Sequence, residues 1–196
     1  DVVVFTNLTQ DHLDFHIPLE EYFDAKRRLF EGEDFGDGRS ALINIDDEFG
    51  KKLLSETTLR ARSFGLEPPA DVRAEDVDVS SSGNHFTLIL DNDRVPVSTI
   101  LQGRFNIYNC LAAAGAAKEL GAGINSIVSG LERLTGVPGR FERIDCGQEF
   151  TALVDYAHTP DGIRNVLEAC REVTGGRVII VVGCGGDRDR SKRPLM

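Results

Sequence analysis

Short apolar runs and amphipathic stretches alternate over the first third of the chain. Residues 1–5 (DVVVF) and 40–46 (SALINID) are rich in Val, Leu and Ile and end at polar positions, a pattern typical of buried strands. Residues 18–31 predict a helix, because Pro18 suits its first turn, its apolar residues share one face and Gly32 follows its end.

The pattern changes period in the middle of the chain. Residues 48–56 predict a helix that Asp46 or Asp47 caps, and residues 61–65 predict a short strand. The following stretch, 72–101, alternates with period two and contains two turn signals, so we expect about three antiparallel strands.

Two predicted helices and a break follow. Residues 105–120 are Ala-rich and end before glycines, and residues 124–134 are again amphipathic. Gly136, Pro138 and Gly139 then interrupt the regular pattern.

A second α/β unit is expected after this break. Residues 150–157 (FTALVDYA) predict a strand, 159–173 a helix, and 177–186 (RVIIVVGCGG) a buried strand that ends in glycines. A strand, a helix and a strand of this length predict a right-handed parallel crossover. The expected fold class is therefore α/β, with a mixed sheet and a small antiparallel group in unit 1–139 and the start of a further α/β domain in 140–196.

Composition narrows the possible functions. The chain is 41% hydrophobic and 28% charged, which is enough to build a core, and its net charge of -10 argues against a general nucleic-acid binder. No apolar run approaches the roughly 20 residues of a membrane span. The four cysteines form no C-x-x-C pair, so we expect free thiols, no zinc knuckle and a cytoplasmic location. The chain opens on DVVVFTN without an initiator methionine and stops at KRPLM, from which we expect a longer parent protein.

The stretch QDHLDFH, followed by a helix with Lys26, is a candidate metal centre. His12 follows a predicted strand, where ligands collect in α/β folds. Its neutral imidazole can hold a metal ion, and the nearby acids are placed to orient that imidazole. A lysine ammonium next to Mg²⁺ is unfavourable, whereas a carbamate formed from Lys26 and CO₂ supplies the anionic oxygens that hard cations prefer. A capping aspartate, surface histidines and an ordinary exposed lysine explain the same residues.

Two further motifs suit a nucleotide. In GRFNIYN, Asn106 and Asn109 lie three apart on one helical face, and their amides offer both a donor and an acceptor to an adenine edge. In PGRFE, Arg140 lies at the break between the units, where a guanidinium suits a phosphate. Helix capping by Asn106 and an interdomain salt bridge by Arg140 are the simpler alternatives.

The last two motifs follow predicted strands. In VDYAHTPD, Asp155 is placed to bind ribose hydroxyls and His158 to reach an anionic substrate, while Thr159 or Asp161 caps the next helix. In GCGGDRDRSKRPLM, glycines permit close backbone approach and Arg188 is placed to pair with a carboxylate; a solvated charged loop is the alternative.

Taken in order, TNLTQDHLDFH, AKRRLF, GRFNIYN, PGRFE, DYAHTPD and GCGGDRDRSKRPLM resemble the Mur ligase family over nearly the whole chain. The last two resemble the branch that adds the third amino acid of the peptidoglycan stem peptide. GRFN and PGR occur more widely, including in cyanophycin and folylpolyglutamate synthetases.

The resemblance implies a three-domain, ATP-dependent ligase with a central ATP-binding domain (here 1–139) and a Rossmann-like C-terminal domain (from 140). It implies Mg²⁺ as cofactor, and as substrates ATP, the UDP-MurNAc dipeptide and a diamino acid. The implied residue roles are, in chain order, His12 as a Mg²⁺ ligand, Lys26 as carbamylated metal ligand, Asn106 and Asn109 at adenine, Arg140 at phosphate, Asp155 at ribose, Tyr156 and His158 in the closing active site, and Arg188 at the incoming amino acid.

Parts of the family pattern lie outside these 196 residues. The G-T-[NK]-G-K-T phosphate loop, the UDP-binding domain and the D-N-P-R-type motif are not in the sequence, so we expect the chain alone to be inactive. Two alternatives stay open at this point: another Mur-type amide ligase, such as a cyanophycin synthetase, and a non-catalytic nucleotide-binding module.

Overall fold

A six-stranded sheet forms the centre of the first unit, in the strand order β1-β2-β3-β4-β5-β6. The computed structural model describes residues 1–8, 19–31, 38–184 and 192–196. In chain order the strands of this sheet are Val2–Phe5 (β1), Ser40–Asn44 (β2), Arg60–Gly65 (β3), Val72–Ser80 (β4), Gly83–Leu90 (β5) and Asp93–Thr99 (β6).

Strand direction changes half-way across this sheet. Strands β1 to β3 and the start of β4 pair in parallel, whereas β4, β5 and β6 pair as antiparallel hairpins. The mixed sheet and the predicted antiparallel group of three strands are thus confirmed. Because β1, β2 and β3 run in the same direction, their carboxyl ends lie at one edge of the sheet, where ligands bind in open α/β folds.

Six helices accompany the strands in the described part of the chain. They are Leu19–Arg27 (α1, continued by a 3-10 turn at Arg28–Phe30), Glu48–Glu56 (α2), Arg104–Glu119 (α3), Ile124–Arg133 (α4), Pro160–Val173 (α5) and the short Lys192–Leu195 (α6). The first five confirm the predicted helices to within a few residues. Pro18 and Gly32, which were expected to flank α1, lie outside the described residues.

Side-chain caps define where two of these helices begin. Of the two aspartates expected before α2, Asp47 is the cap, and its Oδ1 accepts a hydrogen bond from the Gly50 amide at 2.9 Å. Thr159 caps α5 by accepting from the Gly162 amide at 3.1 Å, and Pro160 occupies the first turn. Such caps satisfy amides that have no partner within the helix.

The core lies on both faces of the parallel strands. On one face Leu42 packs with Phe64 and with Leu111 of α3; on the other, Ile43 packs with Phe23 of α1 and other apolar residues. All five side chains are fully buried. Successive residues of a strand point to opposite faces, so burial on both faces accounts for the continuous apolar run of β2.

The second unit differs from its expected topology. Its strands, Glu142–Ile144 (β7) and Ala152–Val154 (β8), pair as an antiparallel hairpin. Residues 177–184 form no strand and Val181 is 97% exposed, so the predicted buried strand and the parallel crossover are wrong for this structure. A strand needs a neighbour for its backbone groups, and no strand of the described residues pairs with this segment.

The sequence also predicts free thiols and no membrane span. Cys110 is buried, Cys170 is half-buried, Cys146 and Cys184 are exposed, and all four are free, as expected. In the described ranges, none of the helices has the length and apolar character needed to cross a membrane.

Candidate functional site

Hydrogen bonds tie together the loops that leave β1 and β2 at the carboxyl edge of the sheet. The Asn44 side chain donates to the Thr6 carbonyl oxygen at 2.7 Å, and the Leu8 amide donates to Asp47 Oδ2 at 3.2 Å. Asp47 therefore both caps α2 and holds the loop after β1. These contacts fix the backbone just before residues 9–18, which include the predicted ligand His12 and lie outside the described residues.

Helix α3 begins beside this edge on a glycine. Gly103 has φ +83°, a conformation that side chains rarely adopt, and its carbonyl oxygen accepts from the fully buried Asn84 side chain at 2.9 Å. In the first turn, Asn106 Nδ2 donates to the Gln102 carbonyl oxygen at 2.8 Å. Gly103 holds the N-cap position of α3, so Asn106 does not cap the helix. The simpler alternative, helix capping by Asn106, is therefore wrong.

The two asparagines predicted to meet adenine are in contact. Asn109 Nδ2 donates to Asn106 Oδ1 at 3.0 Å, and Asn109 is exposed. No hydrogen bond within the described residues uses the Asn109 Oδ1 atom, which leaves a free acceptor and a second amide hydrogen. A donor and an acceptor on one exposed amide fit an adenine edge.

A contact that the sequence did not reveal holds α3 against the sheet. The Tyr108 hydroxyl donates to Asp46 Oδ2 at 2.8 Å, and the Leu66 amide donates to the same oxygen at 2.7 Å. Burial, and then the hydrogen bond to the Asp46 carboxylate, raises the pKa of Tyr108 well above its ordinary value. The sequence alone marks Asp46 only as a possible helix cap. Its position two residues beyond the buried strand β2 is the signal that points to a further role.

The second group of predicted residues lies on the β7–β8 hairpin. Glu142 pairs with Val154 in this ladder. Continuing the antiparallel register places Phe141 opposite Asp155 and Arg140 opposite Tyr156. Two motifs that are distant in sequence, PGRFE and DYAHTPD, therefore meet because of strand register.

Asp155 closes this end of the hairpin with its side chain. Its Oδ2 atom accepts from the Phe141 amide and its Oδ1 atom from the Ala157 amide, each at 2.7 Å. Phe141 has φ +48° and is buried, so this carboxylate holds an unfavourable backbone conformation. Asp155 also acts on α5, because burial and, secondarily, its negative charge raise the pKa of the Cys170 thiol.

Arg140, Tyr156 and His158 form an exposed stack beside Asp155. The Arg140 guanidinium carbon lies 4.8 Å from the centre of the Tyr156 ring, and the Tyr156 and His158 rings meet edge-on at 5.0 Å. The His158 Nδ1 atom lies 3.0 Å from the Tyr156 carbonyl oxygen. No carboxylate of the described residues pairs with Arg140, so its donors remain available to an anion, and the interdomain salt bridge considered for it is not formed.

The hairpin and α3 are in direct contact. Phe141 packs edge-on against Phe105 with ring centres 5.5 Å apart, and Arg104 pairs with Glu172 of α5 at 3.2 Å. A Cβ atom on Gly103 would lie 3.3 Å from the Ala169 methyl group. The adenine candidates on α3 and the phosphate candidate Arg140 are thus parts of one packed assembly.

Only one of the two predicted metal ligands is described. Lys26 is half-buried, with its Nζ atom 4.8 Å from the centre of the Tyr22 ring, and no described carboxylate pairs with it. By contrast, Lys52 lies 4.8 Å over the Phe23 ring but bonds to Glu20 at 2.8 Å, and that hydrogen bond raises the pKa of Lys52. Lys52 is therefore held as a cation by a carboxylate, whereas Lys26 has no carboxylate partner among the described residues.

Metal binding and amino-acid binding also involve residues that are not described. Within the described ranges, no group of three or more His, Cys, Asp or Glu residues could hold a metal ion. His12 and Arg188 both lie outside those ranges, so their predicted roles as metal ligand and carboxylate partner stay predictions.

A polar cleft of about 450 Å³ lies apart from the residues above. Its charged lining consists of Arg60, Arg62, Arg73, Asp71, Asp91 and Glu119. These side chains form ion pairs, among them Arg62 with Asp91 at 2.6 Å and with Glu119 at 3.2 Å. The positive and negative groups balance, and none of the predicted site residues lines this cleft.

Family models match both parts of the chain. Residues 1–117 match the Mur ligase middle domain and residues 139–196 match the Mur ligase glutamate ligase domain. The chain belongs to the Mur ligase family. The expected family membership is thus confirmed.

Curated Mur ligases match the full length of the chain. It is 48% identical over 200 residues to the UDP-N-acetylmuramoyl-L-alanyl-D-glutamate--2,6-diaminopimelate ligase of Geobacter metallireducens, covering 39% of that protein. It is 46% identical over 196 residues to the ligase of the same name from Syntrophomonas wolfei, covering 40% of it. The chain therefore spans about 40% of the length of these relatives.

Solved Mur ligases share the fold. A ligase structure bearing the same diaminopimelate ligase name has a TM-score of 0.74 and 36% identity, and the match covers all of this chain and 40% of the other. MurF from Acinetobacter baumannii has a TM-score of 0.79 at 22% identity, over 88% of this chain and 38% of that one. The second likeness shows the fold alone, and both agree with the expected Mur ligase central domain.

Proposed function

We propose that the intact protein is an ATP-dependent amide ligase that adds diaminopimelate to UDP-MurNAc-L-Ala-D-Glu in peptidoglycan synthesis. The support is the name shared by the two curated relatives described above, which are 46% and 48% identical over the whole chain. The observation in the structure that favours it is the hairpin that presents Arg140 on Tyr156 beside Asp155, packed on the helix that carries Asn106 and Asn109. Because the proposed reaction consumes ATP, we expect it to take place in the cytoplasm.

The proposed reaction has two steps. An oxygen of the D-glutamate carboxylate attacks the γ-phosphorus of ATP, so that a C–O–P bond forms, the bond to the β-phosphate oxygen breaks and ADP leaves. The amine of diaminopimelate then attacks the acyl carbon, inorganic phosphate leaves with the C–O electron pair, and the nitrogen loses a proton. Phosphoryl transfer of this kind depends mainly on positioning and charge stabilisation.

The described residues have distinct tasks in this scheme. Asn109 and Asn106 hold the adenine edge, and Asp155 is placed near the ribose. Arg140 stabilises the negative charge of the phosphates, because its guanidinium has no carboxylate partner among the described residues. Tyr156 holds that guanidinium, and His158 adds a polar group at the same surface.

Magnesium is the expected cofactor of the proposed reaction. His12 and carbamylated Lys26 would hold it, and bound Mg²⁺ would neutralise phosphate oxygens. The feature of this structure that supports the carbamate is that no carboxylate of the described residues pairs with Lys26. Arg188 is proposed to bind the carboxylate of the incoming amino acid.

A lysine substitution in the intact protein tests this proposal. We expect Lys26→Ala to lower the rate of diaminopimelate-dependent phosphate release by at least about 100-fold, because a positioned charge at the reacting phosphate is lost. Added acetate or formate should restore part of the rate. The matched control is Lys52→Ala, which removes a lysine from the neighbouring helix α2 and should keep normal turnover. A protein that makes no amide product, or a Lys26→Ala variant with normal turnover, would contradict the proposal.

A further inference from the structure

A chain of hydrogen bonds, the amide relay, runs from the Gln102 carbonyl oxygen through the Asn106 side chain to the exposed Asn109 side chain. Asn106 Nδ2 donates to the Gln102 carbonyl oxygen at 2.8 Å, and Asn109 Nδ2 donates to Asn106 Oδ1 at 3.0 Å. A carbonyl oxygen only accepts, so Asn106 must turn its NH₂ group towards Gln102 and its Oδ1 atom towards Asn109. Asn109 must then turn its own NH₂ group towards Asn106. The Gln102 carbonyl therefore sets the direction of the relay, and Asn109 Oδ1 faces away from Asn106.

Two side chains anchor the backbone that supplies this carbonyl. Gln102 Nε2 donates to the Ser81 carbonyl oxygen at 2.6 Å, and Asn84 Nδ2 donates to the Gly103 carbonyl oxygen at 2.9 Å. The Gly103 oxygen also accepts from the Asn106 backbone amide at 3.0 Å. Both anchoring side chains are buried. The segment in front of α3 is thus fixed to the β4–β5 hairpin at two consecutive residues.

The buried Asn84 side chain is explained by this anchoring bond rather than by packing. Its Oδ1 atom has no hydrogen-bond partner among the described residues, which is unfavourable for a buried acceptor. A leucine has nearly the same shape and would bury no such atom. The bond from Asn84 to the start of α3 is therefore the contact that a polar side chain supplies here.

An amide of fixed orientation distinguishes between purines, whereas an amide that can turn does not. Adenine carries an amino donor at C6 beside ring acceptors, so Asn109 Oδ1 can accept from the amino group while the second amide hydrogen reaches a ring nitrogen. A 6-oxo purine carries an acceptor at C6, which would face Oδ1. A free amide would turn its NH₂ group to that oxygen. The relay opposes this turn, because it would place Asn109 Oδ1 against Asn106 Oδ1.

We propose that Asn84 and Gln102 are positioning residues that make the nucleotide site selective for a 6-amino purine. They hold the carbonyl oxygen that directs the amide relay, and neither side chain contacts the base. The proposal rests on the proposed function, since it concerns the base of the nucleotide that the ligase consumes.

The test compares ATP with inosine triphosphate (ITP), its 6-oxo counterpart, in the intact protein. The readout is the selectivity ratio, kcat/KM for ATP divided by kcat/KM for ITP. We expect a ratio of about 10 to 100 for the wild type, the usual discrimination when one amide pairs with a base edge. Asn84→Leu and Gln102→Leu should each lower this ratio at least about fivefold, with kcat at saturating ATP within about threefold of wild type, because a binding contact is affected.

Gln148→Leu is the matched control for Gln102→Leu. Gln148 Nε2 also donates to a backbone carbonyl oxygen, that of Ile144 at 2.7 Å, but in the loop between β7 and β8. This variant should keep the wild-type selectivity ratio. Thermal unfolding of each variant separates positioning from folding: a merely structural role would lower the melting temperature and reduce the rates with ATP and ITP by the same factor. An unchanged ratio in a folded Leu variant at either anchor would overturn the proposal.

A variant at the exposed end of the relay tests the same idea without disturbing the core. Asn109→Ala should reduce the selectivity ratio to below about threefold, because the group that meets C6 is removed. Asn84→Leu should then cause no further change in the ratio in the Asn109→Ala background, since residues that act as one unit are not additive. A wild-type ratio in Asn109→Ala, or independent effects of the two changes on the ratio, would overturn the proposal.

Binding of non-hydrolysable analogues of ATP and ITP separates this proposal from the proposed function. If the intact protein makes no amide product but prefers the ATP analogue, and the Leu variants lose that preference, the proposed reaction fails and the positioning role stands. If the protein is an active ligase but the wild type does not distinguish ATP from ITP, the positioning role alone fails. If it binds neither analogue, both proposals fail.

Discussion

Removing one hydroxyl group tests how α3 is attached to the sheet. Tyr108→Phe deletes the donor that reaches Asp46 Oδ2 at 2.8 Å and leaves the ring in place. Tyr108 is half-buried, and Asp46 keeps its bond from the Leu66 amide, so the carboxylate is not left without a partner. The change therefore isolates a single hydrogen bond.

The expected loss follows from the charge of the acceptor. Hydrogen bonds to ionised groups contribute about 1.5–3 kcal/mol, and partial exposure of the phenol places this bond at the lower end. We expect Tyr108→Phe to lower the free energy of unfolding by about 1–2 kcal/mol at pH 7. The matched control is Tyr22→Phe, which removes a hydroxyl that makes no hydrogen bond in the described residues and should change stability by less than about 0.5 kcal/mol.

The pH dependence provides a second measurement. The pKa of Tyr108 is raised in the folded protein, so the folded state holds this proton more tightly than the unfolded state does. The contribution of Tyr108 is therefore complete below the unfolded pKa of about 10 and is lost as the pH rises above it towards the folded pKa. Urea unfolding of the intact protein at pH 7 and pH 10.5 should show a stability difference between wild type and Tyr108→Phe that narrows at the higher pH. Equal effects of Tyr108→Phe and Tyr22→Phe, or a difference that widens with pH, would refute the reasoning.

Two further predictions concern a buried thiol and a glycine. Burial raises the pKa of Cys110 to about 11, so at pH 8 Cys110 should react with a disulfide reagent at least about tenfold more slowly than the exposed Cys146. Mass spectrometry of labelled peptides measures the two rates, and equal rates would contradict the burial of Cys110. Gly103→Ala should destabilise the intact protein by about 1–3 kcal/mol, because φ there is +83° and the new methyl group meets Phe105 at 2.8 Å. Gly130 lies in helix α4 with open space around it, so Gly130→Ala should be neutral or stabilise by up to about 1 kcal/mol in the same urea experiment. If Gly130→Ala were the more destabilising of the two variants, the backbone at Gly103 would not be strained.

Periodicity and local capping signals accounted for most elements of the first unit. The apolar run of β2, the alternation of β4 to β6 and the amphipathic α4 depend on side chains a few positions apart. Thr159 and Pro160 mark the start of α5 for the same reason. The motif residues Asn106, Asn109, Arg140, Asp155, Tyr156 and His158 could also be selected from the sequence, since each lies in or next to a helix start or a strand end.

The same local signals failed where a partner was needed. The apolar run at 177–184 has the composition of a buried strand, yet the structure leaves Val181 almost fully exposed. Composition reports that a segment suits a strand, but pairing depends on backbone groups that another segment must supply. No described strand supplies them here.

The sequence by itself determined the order of helices and strands in the first unit and the residue types available for phosphate, adenine and metal chemistry. Only the tertiary structure decided which of these side chains meet. The β7–β8 register places Arg140 over Tyr156, Asp155 uses both oxygens to hold that arrangement, and Tyr108 reaches Asp46 across 62 positions of the chain. The physical reason is that a hydrogen bond or ring contact between distant segments is set by strand register and packing of the whole sheet, which no local pattern contains.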